Sequence, residues 1–141
     1  MSREMEYREN SLTYEDYIAL RASVDWNIFD EGQTRTCVSN STYTITAVDE
    51  GQTVGMARMI GDGMYFLIVD VVVRPEYQGK GIGSQIMDRM IAYVEAQTPE
   101  GGRSSVTLLS VSGKEEFYMK KGFKLLPHEF CGPGMRKVIR K

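Results

Sequence analysis

Three glycines at alternate positions, Gly79, Gly81 and Gly83, follow soon after an apolar run that ends at Val73. Arg74-Pro75 ends this run, because proline cannot donate a hydrogen bond to a neighbouring strand and it restricts the residue before it. Glycines allow a ligand to approach the backbone closely, and a helix that begins behind them offers N–H groups and the positive end of its dipole. This combination suits a phosphate or a pyrophosphate.

Hydrophobic periodicity predicts the elements that position this turn. The run Leu67–Val73 is apolar and mostly β-branched, which is typical of a strand that is buried on both faces. After the glycines, apolar residues recur at helical spacing: Ile82, Ile86, Met87, Met90, Ile91 and Val94. The sequence therefore predicts a strand, a glycine-rich turn and a helix in succession.

Two common nucleotide-binding turns fit this stretch poorly. A P-loop would need a longer glycine loop that ends in Gly-Lys-Ser/Thr, and the sequence contains none. A dinucleotide-binding turn would need a glycine further into the helix and an acidic residue at the end of the next strand. Here the next apolar run, Val106–Val111, ends at a serine. Both interpretations are therefore disfavoured.

Two motifs carry a resemblance to a known superfamily. Gln78-x-x-Gly81-x-Gly83 resembles the Q/R-x-x-G-x-G/A signature of the GNAT acyl-CoA N-acyltransferases, and the preceding Asp70-Val-Val-Val-Arg-Pro-Glu-Tyr resembles their usual lead-in. Downstream, Phe117-Tyr118-Met119-Lys120-Lys121-Gly122-Phe123 is similar to their FYxKxGF segment. The resemblance covers most of the chain. It implies an α/β fold with a mixed, mostly antiparallel central sheet that splays at the acyl-CoA site and is flanked by helices.

The resemblance also implies a cosubstrate and a reaction. Acetyl-CoA is expected as the acetyl donor, a primary amine of a small molecule as the acceptor, and direct transfer through a ternary complex as the mechanism. Backbone groups at Val71 and Val73 are implied to bind the acyl carbonyl and pantetheine. The implied pyrophosphate site comprises the residues of the turn: Gln78, Gly79, Lys80, Gly81, Ile82 and Gly83. Acetylation of protein lysines or N-termini, and an acyl-CoA sensor with little turnover, are the alternatives.

Tyr118 is the best candidate for a general acid. The resemblance implies that the tyrosine of its segment protonates the coenzyme A thiolate. An unperturbed tyrosine has a pKa of about 10 and is therefore a protonated donor at neutral pH. The alternative is that Tyr118 only packs beside Phe117.

The general base is harder to identify from the sequence. Asp70 is the ionisable residue within the apolar run, and a buried carboxylate usually has a reason to be there. Strict alternation places Asp70 on the opposite face from Leu67 and Val69, although a β-bulge would turn it inward. A structural anchor is favoured over a base for Asp70. His128, the sole histidine, is a second possibility, although a surface position is favoured for it.

Aromatic residues are candidates for walls of the acceptor pocket. Trp26 and Phe29 follow the first predicted helix, and Tyr65 begins the central strand. In relatives, the first helix and its loop cover the acceptor side. Simple core packing is the favoured alternative for each of the three.

Bulk properties limit the remaining classes of function. A chain of 141 residues predicts one domain, residues 1–141, and a net charge of -2 gives no case for nucleic acid. Cys37 and Cys131 have no metal-ligand spacing, so no metal site is expected. Ser2-Arg3-Glu4 does not resemble the start of a signal peptide, and no run is long enough to span a membrane. A cytoplasmic protein is predicted, and relatives make a homodimer possible.

The other elements are predicted from caps, alternation and turn residues. A helix is expected from Thr13 to near Val24, and a short second helix within Gly32–Asn40. The predicted strands are Tyr43–Asp49, Thr53–Ile60, Tyr65–Val73, Val106–Val111 and a terminal pair, Phe123–Leu126 and Met135–Ile139. A short helix, Lys114–Lys121, is expected before Gly122.

Overall fold

The structure is a computed structural model that describes residues 5–141. The expectation of no signal peptide depends on Ser2, Arg3 and Glu4, which lie outside the described residues. The chain divides into two compact units, one that ends at Leu109 and one that comprises Ser110–Lys141. A single domain over the whole chain stays a prediction. None of the helices within residues 5–141 is both long enough and apolar enough to cross a bilayer.

The first unit is built on a five-stranded sheet. In chain order its elements are β1 (Glu6–Glu9), α1 (Tyr14–Ser23), α2 (Glu31–Ser39), β2 (Tyr43–Asp49), β3 (Gln52–Gly61), β4 (Tyr65–Val73), a 3-10 turn (Pro75–Tyr77), α3 (Ile82–Gln97) and β5 (Ser105–Leu108). The strands lie in the order β1-β2-β3-β4-β5. The first three ladders are antiparallel and the β4–β5 ladder is parallel. The sheet is therefore mixed and mostly antiparallel, which confirms the predicted fold class.

Local capping determines where the first two helices begin. The Thr13 hydroxyl accepts a hydrogen bond from the Asp16 N–H at 3.1 Å, so the predicted N-terminal cap is present. The Asp30 carboxylate accepts one from the Gln33 N–H at 2.8 Å and begins α2 in the same way. Helix α1 ends at Ser23, next to the residue that the sequence predicts. Both helices are confirmed.

Helices α1 and α3 pack on opposite faces of the sheet. Helix α3 buries an apolar stripe: Ile82, Ile86, Met87, Met90 and Val94. It approaches β3 closely at Gly55, where an added Cβ would lie 3.1 Å from Ile86 Cδ1 and 3.4 Å from Ile82 Cγ2. On the other face, Tyr17 and Leu20 of α1 pack with Met56 and Val72. Successive residues of a strand face opposite sides, which explains why Gly55 and its neighbour meet different helices.

Strand β4 contains a β-bulge. Arg58 pairs with Val69 and Met56 pairs with Val72, so Asp70 and the next residue together oppose one residue of β3. Asp70 has a φ of +55°, in the left-handed region. The bulge breaks the alternation along the strand, so the placement of Asp70 expected from strict alternation is wrong and the bulge alternative is confirmed.

Burial of β4 on both faces is also a wrong expectation. Phe66, Ile68 and Val72 are buried, whereas Leu67 and Val69 are only half-buried. The β-branched composition of this run therefore reflects its extended conformation more than complete burial.

The next strand is also shorter than predicted. Strand β5 ends at Leu108, and the apolar residues Leu109 and Val111 beyond it are exposed and do not continue the ladder.

The second unit contains the short helix α4 (Glu115–Met119). Gly122 has a φ of +97°, and its N–H donates to the Met119 carbonyl at 3.0 Å, which is the glycine cap that the sequence predicts. The terminal pair of strands, Phe123–Leu126 and Met135–Ile139, is a wrong prediction. Within this unit, the one β-bridge that the structure describes joins His128 to Cys131.

Strand pairing needs a neighbour that an apolar pattern alone does not supply. The side chain of Met135 is 95% exposed and that of Ile139 is 76% exposed, so neither residue is buried as a strand of a packed sheet would be. Pro127 and Pro133 lack the N–H groups that a ladder requires. These prolines interrupt the segment between the two predicted strands.

Candidate functional site

The turn after β4 is fastened to the start of β3 and the end of β2. The Arg74 N–H donates to the Val54 carbonyl at 2.8 Å, and the Arg74 Nε donates to the Thr53 carbonyl at 3.0 Å. The Tyr77 hydroxyl donates to the Asp49 carboxylate at 2.7 Å. These bonds fix the 3-10 turn, and the glycines follow it directly.

The glycine turn leaves open space in front of the N-terminus of α3. Gly79 and Gly81 have φ values of +78° and +84°, and a Cβ added at either would meet nothing within 4 Å. Gly81 is the N-cap of α3, and within the described part of the chain no side-chain hydrogen bond caps the helix there. A helix leaves its first N–H groups without partners inside the helix, and these groups attract anions. The geometry is therefore suited to a diphosphate.

Two polar side chains border this turn. The Gln78 Nε2 donates to the Val73 carbonyl at 2.9 Å, so the amide of Gln78 closes the turn back onto the end of β4. The Lys80 ammonium lies 5.4 Å from the centroid of the Tyr77 ring, which holds a positive charge beside the glycines. A screened attraction for an anion is what this lysine can contribute.

The last part of β4 has a partner strand on one side. The parallel ladder runs from Tyr65–Ser105 to Ile68–Leu108 and ends there. Val71 and Val73 lie beyond it, and Val73 pairs with Gly55 on the β3 side. Along the described part of β5, no residue pairs with this end of β4. The sheet is therefore open where the backbone of Val71 and Val73 is implied to bind the acyl group.

Asp70 lies in a cluster of buried donors. Its carboxylate accepts hydrogen bonds from the Tyr17 hydroxyl at 2.9 Å, the Arg21 Nη1 at 2.8 Å and the Arg58 Nε at 2.9 Å. Burial, together with the negative charge and the hydrogen bond of Asp70, raises the pKa of Tyr17 to about 12. The role of base stays a prediction for Asp70, and these contacts favour the anchor.

Trp26 and Phe29 lie beside Arg21, and their role as walls of an acceptor pocket stays a prediction. Both rings lie 5.2 Å from the Arg21 Cζ and enclose its guanidinium, although the Phe29 ring is itself 60% exposed. Tyr65 lies elsewhere, at the start of β4, about 25 Å from Val73 by the rise of a strand. The structure therefore brings two of the three candidate acceptor residues together, around an arginine.

Tyr118 lies on α4 in the second unit. Its ring makes edge contacts with Phe117 and Phe123, with centroids 5.0 Å and 6.2 Å away. Burial raises the pKa of the Tyr118 hydroxyl, which favours the protonated form that an acid needs. His128 is exposed in a turn, where its Nδ1 accepts a hydrogen bond from the Phe130 N–H at 3.2 Å.

A separate concavity of about 690 Å³ lies beside α2 and the start of β2, and Thr44 is among its lining residues. Among residues 5–141, none is a hydrogen-bond partner of the buried Thr44 hydroxyl. The register places this concavity at the opposite end of the sheet from the glycine turn, because Thr44 pairs with Arg58 whereas Val73 pairs with Gly55. It is not part of the candidate active site.

Sequence reasoning missed three residues of the Asp70 cluster. Tyr17 and Arg21 lie one turn apart on α1, so their spacing places them on one face of that helix. Arg58 is the one charged residue within β3, which is the same signal that singled out Asp70. A charge within each of two neighbouring strands predicts an ion pair between them.

The sequence matches the acetyltransferase (GNAT) domain family over residues 21–138. Serotonin N-acetyltransferase 2, chloroplastic, of Oryza sativa subsp. japonica is 35% identical over 83 residues, which are 58% of this chain and 40% of that protein. The uncharacterized N-acetyltransferase ycf52 of Pyropia yezoensis is 29% identical over 106 residues, 72% of this chain and 59% of that protein. The chain thus spans roughly half the length of these relatives.

Solved structures share the fold over nearly the whole chain. A crystal structure of a methicillin-resistant Staphylococcus aureus protein has a TM-score of 0.82 and 29% identity, and the match covers 96% of this chain and all of that one. A GNAT-family acetyltransferase of Streptococcus pneumoniae has a TM-score of 0.80 and 25% identity, with 98% of this chain and all of that one covered.

Proposed function

Because the chain belongs to the GNAT acetyltransferase family, we propose that it transfers an acetyl group from acetyl-CoA to the primary amine of a small molecule. The observation that supports this most is the start of α3, where glycines at positive φ leave open space before a helix N-terminus without a side-chain cap. The pyrophosphate of acetyl-CoA is an anion of suitable chemistry for these N–H groups. No capping side chain would need to move aside.

The transfer is a direct displacement at the thioester. The neutral amine nitrogen attacks the acetyl carbonyl carbon, a C–N bond forms, and the C–S bond to coenzyme A breaks. Backbone N–H groups at Val71 and Val73, on the open part of β4, would stabilise the negative charge that develops on the carbonyl oxygen. The ammonium proton leaves to a base or to water before the attack, because a primary ammonium has a pKa of about 10.4.

Tyr118 is the proposed acid for the departing thiolate. Its hydroxyl transfers a proton to the coenzyme A sulfur, and the free thiol leaves. The raised pKa of Tyr118 supports this role, because the hydroxyl remains protonated across the neutral range. Its position in the FYxKxGF-like segment is the second support.

The proposed acceptor classes are polyamines, amino sugars and arylalkylamines. The last of these is favoured by the rice relative, whose name gives serotonin as its acceptor. Acetylation of a protein lysine or N-terminus is the alternative within the same chemistry, and an acyl-CoA sensor is the alternative without turnover. A homodimer and a cytoplasmic location stay predictions.

A thiol-release assay with acetyl-CoA tests the proposal. The wild type is assayed with one amine from each class and with a lysine-containing peptide. We expect one small amine to give turnover, and Tyr118→Phe to lower kcat about a hundredfold or more, because a positioned acid contributes that much. Turnover with the peptide alone would favour the protein-substrate alternative.

Tyr7→Phe is the matched control for this variant. Burial also raises the pKa of Tyr7, but Tyr7 lies on β1, three strands away from β4. Its kcat should equal that of the wild type. Binding of acetyl-CoA without turnover on any acceptor would support the sensor, and absence of binding would contradict the proposed anion site.

A further inference from the structure

The buried cluster at Asp70 extends well beyond the bulge. The side chains of Asp70 and Arg21 are each 11% exposed, and that of Arg58 is 7% exposed. Two guanidinium groups share one carboxylate, and the Tyr17 hydroxyl donates to the same oxygen as Arg58. All of these groups lie within the first unit.

Each arginine carries the cluster to another element. The Arg21 Nε donates to the Asn27 carbonyl at 2.9 Å, in the loop that follows α1. The Arg58 Nη1 donates to the Cys37 carbonyl at 3.0 Å and to the Ser41 hydroxyl at 2.8 Å, at the end of α2. The cluster therefore joins the bulge of β4 to α1, to the loop after it and to the end of α2.

The backbone of the bulge depends on such support. An L residue at a φ of +55° is strained unless its surroundings hold it there, and Asp70 is not a glycine. Three donors from two segments of the chain converge on its side chain: Tyr17 and Arg21 from α1, and Arg58 from β3. Without them, the bulge would be free to relax toward a regular strand, which would turn Val71 and Val73 away from their present directions.

We propose that Asp70, Arg21, Arg58 and Tyr17 are positioning residues that aim the last part of β4 at acetyl-CoA. Asp70 acts through the backbone that follows it and does not accept the proton of the amine. Both of its oxygens already accept hydrogen bonds, two of them from guanidinium groups. This inference rests on the proposed acetyl-CoA site, and it assigns the base to another group or to water.

Two tyrosines provide a matched test. Tyr17 and Tyr43 are 5% and 3% exposed, and each donates to a carboxylate: Tyr17 to Asp70 at 2.9 Å, and Tyr43 to Glu9 at 2.7 Å. Tyr43 stacks on Tyr93 of α3, so it lies on the other face of the sheet. Each Tyr→Phe change removes one buried hydroxyl from a carboxylate, but only Tyr17 contacts the bulge.

The measurement is the KM for acetyl-CoA at saturating amine or, if no amine gives turnover, the calorimetric Kd. We expect Tyr17→Phe to raise this constant about fivefold or more, and Tyr43→Phe to leave it within about twofold of the wild type. Equal constants for the two variants would overturn the inference and leave the proposed function intact. A wild type that binds no acetyl-CoA would instead contradict the proposed function.

Substitutions of Asp70 separate a positioning role from that of a base. Asn tolerates the left-handed region, whereas Ala does not. A positioning role predicts that Asp70→Ala raises the KM for acetyl-CoA more than Asp70→Asn does, with the acidic limb of the kcat–pH profile kept in both. If Asp70 is the base, both variants lose kcat alike, the acidic limb disappears, and the inference fails.

Discussion

Asp70 and Gly81 both have a φ in the left-handed region, one inside β4 and one just before α3, and their surroundings are opposite. Asp70 is almost fully buried and accepts hydrogen bonds from a tyrosine and two arginines. Gly81 is exposed, has no side chain and caps α3 without a side-chain hydrogen bond. At the bulge, side chains of the protein itself bind the Asp70 carboxylate. At the glycine turn, the space beside the backbone is open to a bound anion.

The difference separates two ways of building one site. Buried charges that are fully paired hold the backbone in a single conformation, but they are costly to disturb. An open turn at a helix N-terminus costs little in stability and interacts strongly when an anion arrives. Substitutions at the bulge should therefore first lower the free energy of unfolding. Substitutions at the glycine turn should first weaken the binding of acetyl-CoA.

The largest effect should come from removing the charge at the bulge. Asp70→Asn leaves Arg21 and Arg58 buried without their counter-ion, and we expect the free energy of unfolding to fall by about 3–5 kcal/mol. Urea unfolding measures this change. The control is Glu31→Gln at the exposed Arg35–Glu31 pair, where the loss should be about 0.5 kcal/mol or less. Similar losses for the two variants would show that the buried cluster is not a special support.

The second effect belongs to the glycine turn. Gly81→Ala places a Cβ at a φ of +84° and should cost about 1–2 kcal/mol of stability. Gly51→Ala is its control, because Gly51 has a φ of +81° and equally open surroundings in the turn between β2 and β3. We expect equal losses of stability, but an increase of about tenfold in the Kd for acetyl-CoA for Gly81→Ala alone. Two equal Kd values would refute a special role for the turn.

The third effect should be seen at alkaline pH. The pKa of Tyr17 is raised from 10.0 to about 12, so the folded state holds this proton more tightly than the unfolded state does. Its contribution to stability is complete below pH 10 and is lost as the pH rises toward 12. Tyr17→Phe should therefore lose less stability than the wild type over this interval, as measured by unfolding at each pH. A parallel decline in both proteins would contradict the raised pKa.

Local signals in the sequence were sufficient for much of the fold. The cap at Thr13 and the glycines after β4 act within a few residues, so the helix starts that depend on them could be predicted. The alternation of Tyr43–Asp49 also predicted a strand correctly. Every residue of β2 is buried in the structure, so this strand is covered on both faces of the sheet. The turn of the candidate site belongs to this local class.

Contacts between distant residues could not be predicted in the same way. Asp70 lies far along the chain from Tyr17 and Arg21, and no short pattern pairs them. The apolar residues Met135 and Ile139 resemble a strand in composition, yet a strand also requires a hydrogen-bonded neighbour, and composition does not provide one. The missed part of the fold and the missed part of the site therefore have the same cause.

Gly55 packs against the helix whose N-terminus forms the candidate diphosphate site. A methyl group added at Gly55 would crowd Ile86 of α3, at 3.1 Å, and would just touch Ile82, the first residue of that helix, at 3.4 Å. Displacement of the helix by such a group would carry its N-terminal N–H groups outward with it. A substitution at Gly55 in the core is therefore expected to change the affinity for a diphosphate, although every residue of the glycine turn stays the same.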